Sequence, residues 1–473
     1  MFSLVGVALV SLLMGRGVEG QRWPQFRGPS YGVAAETEKP PTRFDADTNV
    51  VWKTHVPHGA SSPVIWDDYL FITGVDGDKL GTFALRRSDG ALRWERTLEV
   101  ERFEPMYSDV ATPAASTPVT DGKTVYVYFG SFGLIAYDFE GEEQWRKPMP
   151  VAITEFGSGT SPLLHDGVLL LNRDQDENAS VMAVSAESGA TIWERERPGF
   201  NESHGSPVVW TRQNQGRSVV VMSGSYRLKA YDIETGKDVW VARGLPSLIC
   251  TTPVIADGML YAAAWGAGGE GTPLPPFEQI LEGLDKNATG SLTKDEVPEG
   301  GLTDFFDWFD ANGDGELSEP EYTVRVSRMN EGSNALIAIR GGGTGDITDT
   351  HVAWKQTRSI PYVSSPLYYQ GAIYLMKEGG ILSVFDAETG DPRYPRQRLG
   401  DAGDYYASPV AANGHVYVSS MSGTVTVLSP GETLEVVAEN ELGEPIMATP
   451  AFVDDTIYVR AGGHLYAFAT QVN

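Results

Sequence analysis

The chain of 473 residues carries 63 acidic against 36 basic side chains, a formal net charge of −27. Nucleic acid and anionic lipid are both recognised through basic surfaces, so this balance argues against either as a partner, and it also favours solubility. The 53 glycines and 29 prolines point to many turns, while 41% apolar residues with 11 Trp, 20 Tyr and 18 Phe suffice for a sizeable core.

In chain order, the apolar run from Phe2 to Met14 comes first. It has the length of a signal-peptide core and is too short to span a bilayer. Val18 and Gly20 supply small residues around a cleavage after Gly20, although no basic residue precedes the run. Residues 1–20 therefore read as an export signal, which places the mature chain in the periplasm or outside the cell. No Cys follows to carry a lipid, and no later stretch is long enough for a membrane helix. Cys250 is the only cysteine, so no internal disulfide forms and stability must come from packing. With no base nearby, Cys250 reads as a small buried apolar side chain.

Two phrases then recur. The first is Ser/Thr-Pro followed by apolar residues, with prolines at Pro63, Pro118, Pro162, Pro207, Pro253, Pro366, Pro409 and Pro450. Most intervals are in the forties, the size of a four-stranded propeller blade. The second phrase sets a Gly four residues before a Trp, as in "AVSAESGATIW" ending at Trp193 and "AYDIETGKDVW" ending at Trp240. "VFDAETGDPRY" keeps the spacing with Tyr394 in the aromatic place. Trp94, Trp145, Trp193, Trp240 and Trp354 occur once per unit and read as packing residues. Short alternating runs between turn signals indicate antiparallel sheet, and such units must pack side by side until the ring closes. The eighth unit ends at "HLYAFATQVN" without its Trp strand, and "NVVWKTHVP" around Trp52 supplies one. A closing strand from the N-terminus would remove the open sheet edges. The fold class is all-β, an eight-bladed propeller.

The "A-x-D-x-x-T-G-x-x-x-W" phrase, the opening "RWPQFRGPSYGVA" and the stretch "VYVYFGSFGLIAYDFEGEEQWR" resemble the exported pyrroloquinoline-quinone-like (PQQ-like) propeller family. The resemblance covers roughly residues 21 to 473 outside one insertion. The family includes quinone-dependent alcohol and sugar dehydrogenases. It also includes non-enzymatic scaffolds, such as the propeller lipoprotein of the outer-membrane β-barrel assembly machinery. The resemblance therefore speaks to fold more than to activity. In the quinone alcohol dehydrogenases a pair of adjacent cysteines covers the quinone ring; Cys250 alone cannot form that lid. The sugar dehydrogenases use six blades, which eight repeats do not match. PQQ is therefore not expected as a cofactor, and quinone oxidoreduction is the alternative to a binding role.

The interval from Pro253 to Pro366 is more than twice the others, so roughly residues 270–332 are inserted in blade 5, dividing the propeller into residues 21–269 and 333–473. Loops tolerate such additions because the entropy of closure grows only logarithmically with length. The insertion reads as an α-helical EF-hand pair. "DANGDGELSEPE" has Asp310, Asn312 and Asp314 at positions one, three and five, Gly315 at six and Glu316 at seven through its carbonyl. Leu317 stands at eight, Ser318 at nine and Glu321 at twelve as the bidentate ligand. "DKNATGSLTKDE" repeats the spacing with Asp285, Asn287, Thr289, Gly290, Ser291, Leu292, Thr293 and Glu296. Such loops supply the oxygens that calcium, a hard cation, requires. Phe277, Ile280, Leu281 and Leu284 before the first loop, and Leu302, Phe305, Phe306 and Phe309 before the second, share helical faces. The first loop offers two carboxylates against three in the second, so it is expected to fill later. Two Ca²⁺ sites, mainly structural, are expected.

A ligand funnel, if present, should lie where the loops entering each first strand meet the ring axis. Those loops carry Tyr107, Asp109, Glu155, Asn201, Glu202, His204, Tyr362, Asp404, Tyr405 and Tyr406, a mixture of aromatics and carboxylates suited to a polar ligand or peptide. No second His stands at metal spacing from His204. The Gly-rich "RGGGTGD" at Arg340 lacks the Lys-Ser/Thr of a phosphate loop and reads as a turn in blade 5. No catalytic triad or metalloprotease phrase occurs. The sequence thus points to a calcium-binding, exported propeller acting as a binding or scaffold protein for an envelope or extracellular partner.

Overall fold

Each Ser/Thr-Pro phrase opens a short innermost strand, and further antiparallel strands step outward from it. In the computed structural model the described residues are 22–106, 111–154, 156–175, 178–213, 216–266, 274–298, 302–303, 306–310, 313–330, 332–394 and 396–470. The export signal expected over residues 1–20 lies outside them. Eight sheets succeed one another along the chain as eight blades, and one further two-stranded ladder sits in the insertion. Blade 8 takes Ala451–Val453, Thr456–Ala461 and His464–Ala469 from the C-terminal end. Its outermost strand is Val50–His55, which pairs Trp52 with Ala467 and His55 with His464. The ring is closed by the N-terminal strand, as expected.

The Gly-x-x-x-Trp phrase has a packing explanation. In blades 1, 2, 3, 4, 5 and 8 the Trp of the outer strand stands opposite an alanine: Trp94 and Ala84, Trp145 and Ala136, Trp193 and Ala183, Trp240 and Ala230, Trp354 and Ala338, Trp52 and Ala467. In each case the ladder shifts register just before the Trp, a bulge that turns the indole toward the next blade. There the Trp193 Nε1–H donates to the Ile233 carbonyl at 2.9 Å, and a Cβ on Gly236 would lie 2.6 Å from the same ring. Trp52, Trp94, Trp145 and Trp354 repeat both contacts, against Gly90, Gly141, Gly189 and Gly390. The glycine is needed on two counts, since its φ is positive (+66° at Gly236) and it is the only residue with room for the ring. The same bulge leaves Val51 and Ile192 exposed, so these apolar side chains follow from blade geometry.

A second interlock runs around the axis. The backbone N–H of Ser62 donates to the Thr117 hydroxyl of the next blade, Thr117 to Ser161, Ser161 to Ser206, Ser206 to Thr252, Thr252 to Ser365, Ser365 to Ser408 and Ser408 to Thr449, all at 3.0 to 3.1 Å. This ring explains the repeated Ser/Thr. The proline that follows has no N–H to leave unpaired near the axis. Thr252→Val keeps the shape but removes the acceptor for the buried Ser206 N–H. A loss of about 1–3 kcal/mol in chemical denaturation is expected, larger than for Thr456→Val on a strand end.

The structure differs from expectation at three places. In blade 6 Tyr394 does not enter the outer strand, which is only Gln397–Arg398, because Pro392 on that segment cannot donate to the ladder. The Gly-rich turn after Arg340 also sends Gly345–Asp346 to the edge of blade 4, parallel to Trp240–Val241. In the insertion, which leaves blade 5 between Met259–Ala264 and Ala335–Arg340, the helices are short. They are Phe277–Leu284, Phe306–Phe309 and Glu319–Asn330. Leu292–Thr293 pairs with Glu316–Leu317, and Phe277, Leu292, Phe306, Phe309, Leu317 and Tyr322 form a separate small core.

The N-terminal strap, residues 22–45, runs across one end of the axis. Arg22–Trp23 pairs with Ile65 and Trp66 of blade 1, and the Pro24 carbonyl accepts from Thr120 N–H of blade 2 at 2.9 Å. Arg27 reaches the Pro366 carbonyl of blade 6, and Gly32 and Ala34 bond Ala411 of blade 7. Glu38 accepts from the Asp454 and Asp455 amides of blade 8. Among the described residues no helix is long and apolar enough to cross a membrane.

Candidate functional site

The strap meets residues that follow the hydroxyl ring in each first strand, whereas the loops that precede the ring frame the opposite end. The axial channel is therefore a bowl with a floor. Its volume is about 300 Å³, and its lining joins Phe26 of the strap to the hydroxyl ring and to Phe156, His204, Cys250, Tyr362, Tyr406 and Met447 at the mouth.

Of the funnel residues, Tyr362, Tyr406 and His204 line the bowl. Glu202 is buried just behind them, 4% exposed, with Oε1 accepting from the Phe156 N–H at 3.0 Å. His204 Nδ1 accepts from the Gly159 N–H at 3.3 Å, which leaves the proton on Nε2, 3.1 Å from Glu202 Oε1 but out of line for a hydrogen bond. Tyr405 turns away into the core between blades 6 and 7, its hydroxyl donating to the Asp401 carbonyl. Asp404 is exposed, and the Asn201 N–H holds the Ser225 hydroxyl. Tyr107, Asp109 and Glu155 lie outside the described residues.

Cys250, read from the sequence as a small buried apolar side chain, is part-exposed in the bowl wall and hydrogen-bonded to Tyr362. Burial pushes its thiol pKa well up, with the Glu202 carboxylate adding to the effect. The thiol is therefore held protonated and is a poor nucleophile. The Tyr362 hydroxyl is pushed up by burial and by Cys250 and Glu202, and Tyr406 by burial and Asp404. Both remain neutral donors. The hydroxyl ring and Phe26 escaped the sequence reading. The Ser/Thr-Pro repeat carried the signal for the first; nothing local signalled the second.

The insertion loops have a distinct geometry. Asp285 Oδ2 accepts from the Gly290 N–H at 3.0 Å, and Asp310 Oδ2 from the Gly315 N–H at 2.8 Å, with both glycines at positive φ (+81° and +82°). Glu296 Oε1 reaches back to the Lys286 and Asn287 amides, and Ser318 bonds Glu321. Thr289 and Asn287 bond each other, while Ser291 reaches the Glu316 carboxylate at 2.7 Å. Asp314 Oδ1 accepts from the Glu316 N–H, and Asn312 lies outside the described residues. Among the described residues no group of three or more His, Cys, Asp or Glu side chains is gathered as a metal site.

Pyrroloquinoline quinone carries three carboxyl groups and needs cationic or metal-bound partners. Among the described lining residues of the bowl there is no Lys, Arg, Asp or Glu. That described lining offers the anion no fixed cation.

Fold and site together define an eight-bladed β-propeller with a floored axial bowl. Its repeats are similar to those of known assembly-factor propellers. A family model described as outer membrane protein assembly factor BamB matches residues 42–269. The outer membrane protein assembly factor BamB of Yersinia pestis is 22% identical over 319 residues, 63% of this chain and 68% of that protein. The crystal structure of BamB from Moraxella catarrhalis superposes with a TM-score of 0.56 at 14% identity, covering 89% of this chain and 99% of that one. The quinohemoprotein alcohol dehydrogenase of Comamonas testosteroni gives 0.52 at 12% identity, covering 96% and 81%. At these identities the solved structures show the fold alone.

Proposed function

We propose that this chain is an exported docking protein of the cell envelope, binding a protein segment or polar ligand at the mouth of its bowl. The observation that carries the reading is the bowl itself: a floored cavity with neutral hydroxyls below and aromatics at the rim. That lining suits apolar and hydrogen-bonding contacts. Similarity to an outer membrane protein assembly factor agrees with a scaffold role in the envelope. Adding the quinone with calcium to purified protein, then following its absorbance and dye reduction, tests the reading. No saturable uptake is expected; uptake with dye reduction would replace docking by quinone oxidoreduction.

In the same reading the arm on blade 5 is an EF-hand pair that binds two calcium ions and is stiffened by them. Support comes from the oxygen-rich loops Asp285 to Glu296 and Asp310 to Glu321, from glycine at the sixth place of each, and from the ladder that joins Leu292 to Leu317. Asp285, Asn287, Thr289, Ser291 and Glu296 would hold one ion. Asp310, Asn312, Asp314, the Glu316 carbonyl and Glu321 would hold the other. The ions would supply fixed positive charge that draws the acidic loops together. Extracellular calcium modules work at about 10⁻⁴ to 10⁻³ M, and fewer carboxylates mean weaker binding. Calorimetry is expected to show two steps, with Glu321→Gln weakening the tighter one about tenfold or more. Absence of binding at millimolar calcium would remove this part of the reading.

A further inference from the structure

Among the described residues three arginines are almost fully buried, at 1% exposure for Arg27, 1% for Arg197 and 2% for Arg460. A buried cation needs a counter-charge or a full set of acceptors. Arg197 has a counter-charge: Nε lies 2.7 Å from Asp174 Oδ1 without making a hydrogen bond, Nη2 donates to Oδ2 at 2.9 Å, and Nη1 donates to the Tyr231 hydroxyl at 2.9 Å. Arg460 donates from Nη1 to the Ser61 carbonyl and hydroxyl and to the Thr73 carbonyl, and from Nη2 to the Pro57 carbonyl, which leaves only its Nε without a hydrogen bond among the described residues.

Arg27 is different. Its Nη2 donates to the Tyr31 carbonyl at 2.8 Å and the Pro366 carbonyl at 2.6 Å, while Nε and Nη1 have no hydrogen-bond partner among the described residues. The one ionisable group that acts on it is the Tyr31 phenol, which burial pushes up to about 12 and keeps neutral. Burial pulls Arg27 down to about 9, so it is still charged at neutral pH. The backbone is bent to put it there, with φ at +61°, a conformation that costs a non-glycine residue of order 1 kcal/mol. Arg27 borders a second, smaller cavity beneath the bowl, closed by Gln25, Phe26 and Tyr31 of the strap and by Ser206 and Thr252 of the hydroxyl ring. Its volume is about 20 Å³, room for one particle of about water size.

We infer that this cavity is a binding site for a single small monovalent anion of the halide class, held by the free Nε and Nη1 of Arg27. The anion neutralises the strap's buried charge and pins the strap to blades 4 and 5. Because the strap continues into the closing strand Val50–His55, the anion also supports ring closure.

The test compares melting of the mature chain in sodium chloride and in sodium gluconate, a bulky anion, at equal ionic strength. Chloride is expected to raise Tm saturably by about 2 °C or more, and Arg27→Met to abolish the difference. A second measurement does not depend on how that variant folds: crystals of the unaltered protein soaked in bromide should show an anomalous peak within hydrogen-bond reach of the Arg27 guanidinium. Equal melting in the two salts, a chloride effect that survives Arg27→Met, or an ordered water without anomalous signal would each overturn the inference.

Discussion

Trp193→Ala is expected to cost about 3–5 kcal/mol, because it removes a buried indole, 5% exposed, from the seam between blades 3 and 4. The loss has identifiable parts. The ring packs with Leu170, Val181, Val220, Met222 and Tyr231, and its N–H satisfies the Ile233 carbonyl at 2.9 Å. Trp193→Phe keeps most of the packing and loses that donor, so about 1–2 kcal/mol is expected. Gly236→Ala should also destabilise, since a Cβ there meets the indole at 2.6 Å and the φ of +66° strains any other residue. The two sites share one contact, so their costs should not add. With Trp193 reduced to Ala, the Cβ at 236 gains space and only the backbone strain remains. Equilibrium denaturation of the four proteins of the cycle measures the coupling. Additive costs would show that Gly236 is required for its backbone alone. Leu92→Ala, at a site 55% exposed, is the control and should stay within about 0.5 kcal/mol.

Removing residues 22–56 is expected to have a larger effect still. Trp23, Phe44, Trp52 and Val56 are all buried against blades 7, 8 and 1, and burying side chains of this size contributes about 1.5–3 kcal/mol each. Their combined loss is comparable with the whole stability of an ordinary domain, about 5–15 kcal/mol. The truncation would also bare the edge of His464–Ala469, opposite which Val50–His55 now lies, and remove the floor that Phe26 provides. A bare edge of this kind pairs with other chains. Size-exclusion chromatography should find oligomers or aggregate, and a peptide spanning residues 49–56 added in trans should restore part of the monomer. A truncated chain that stays monomeric and melts within about 2 °C of the parent would show that the ring closes without this strand.

Much of this architecture was legible because it repeats. One Ser/Thr-Pro and one Gly-x-x-x-Trp per unit gave the blade size, the number of blades and the missing outer strand, since each phrase is one side of a contact made at nearly every seam. The partner sides were harder to see. Ala183 opposite Trp193 is small only because a bulge brings the indole over it, and no composition rule marks a bulge. Blade 6 failed the pattern where Pro392 lacks the N–H that an outer strand needs. The bowl was half legible: Tyr362, Tyr406 and His204 stand on loops that the repeat places at the axis. Phe26 and Arg27 were not legible there, because their position depends on a strap that crosses from blade 1 to blade 7 without a repeating signal. Cys250 was read as buried because no base stands near it in sequence, and its place in the cavity wall emerges only once eight such segments meet around one axis.

The docking reading is tested most directly at the mouth of the bowl. A photo-cross-linking side chain placed at Tyr406, in cells that produce the protein natively, should yield one discrete adduct. The same probe at Gly77, in the turn between Tyr69–Asp76 and Lys79–Arg86, should yield none. Tyr362→Asp should abolish the adduct by placing a charge in the neutral rim, while leaving the melting temperature within a few degrees. Adducts from Gly77 but not from Tyr406, or an adduct indifferent to Tyr362→Asp, would contradict a binding surface at the bowl.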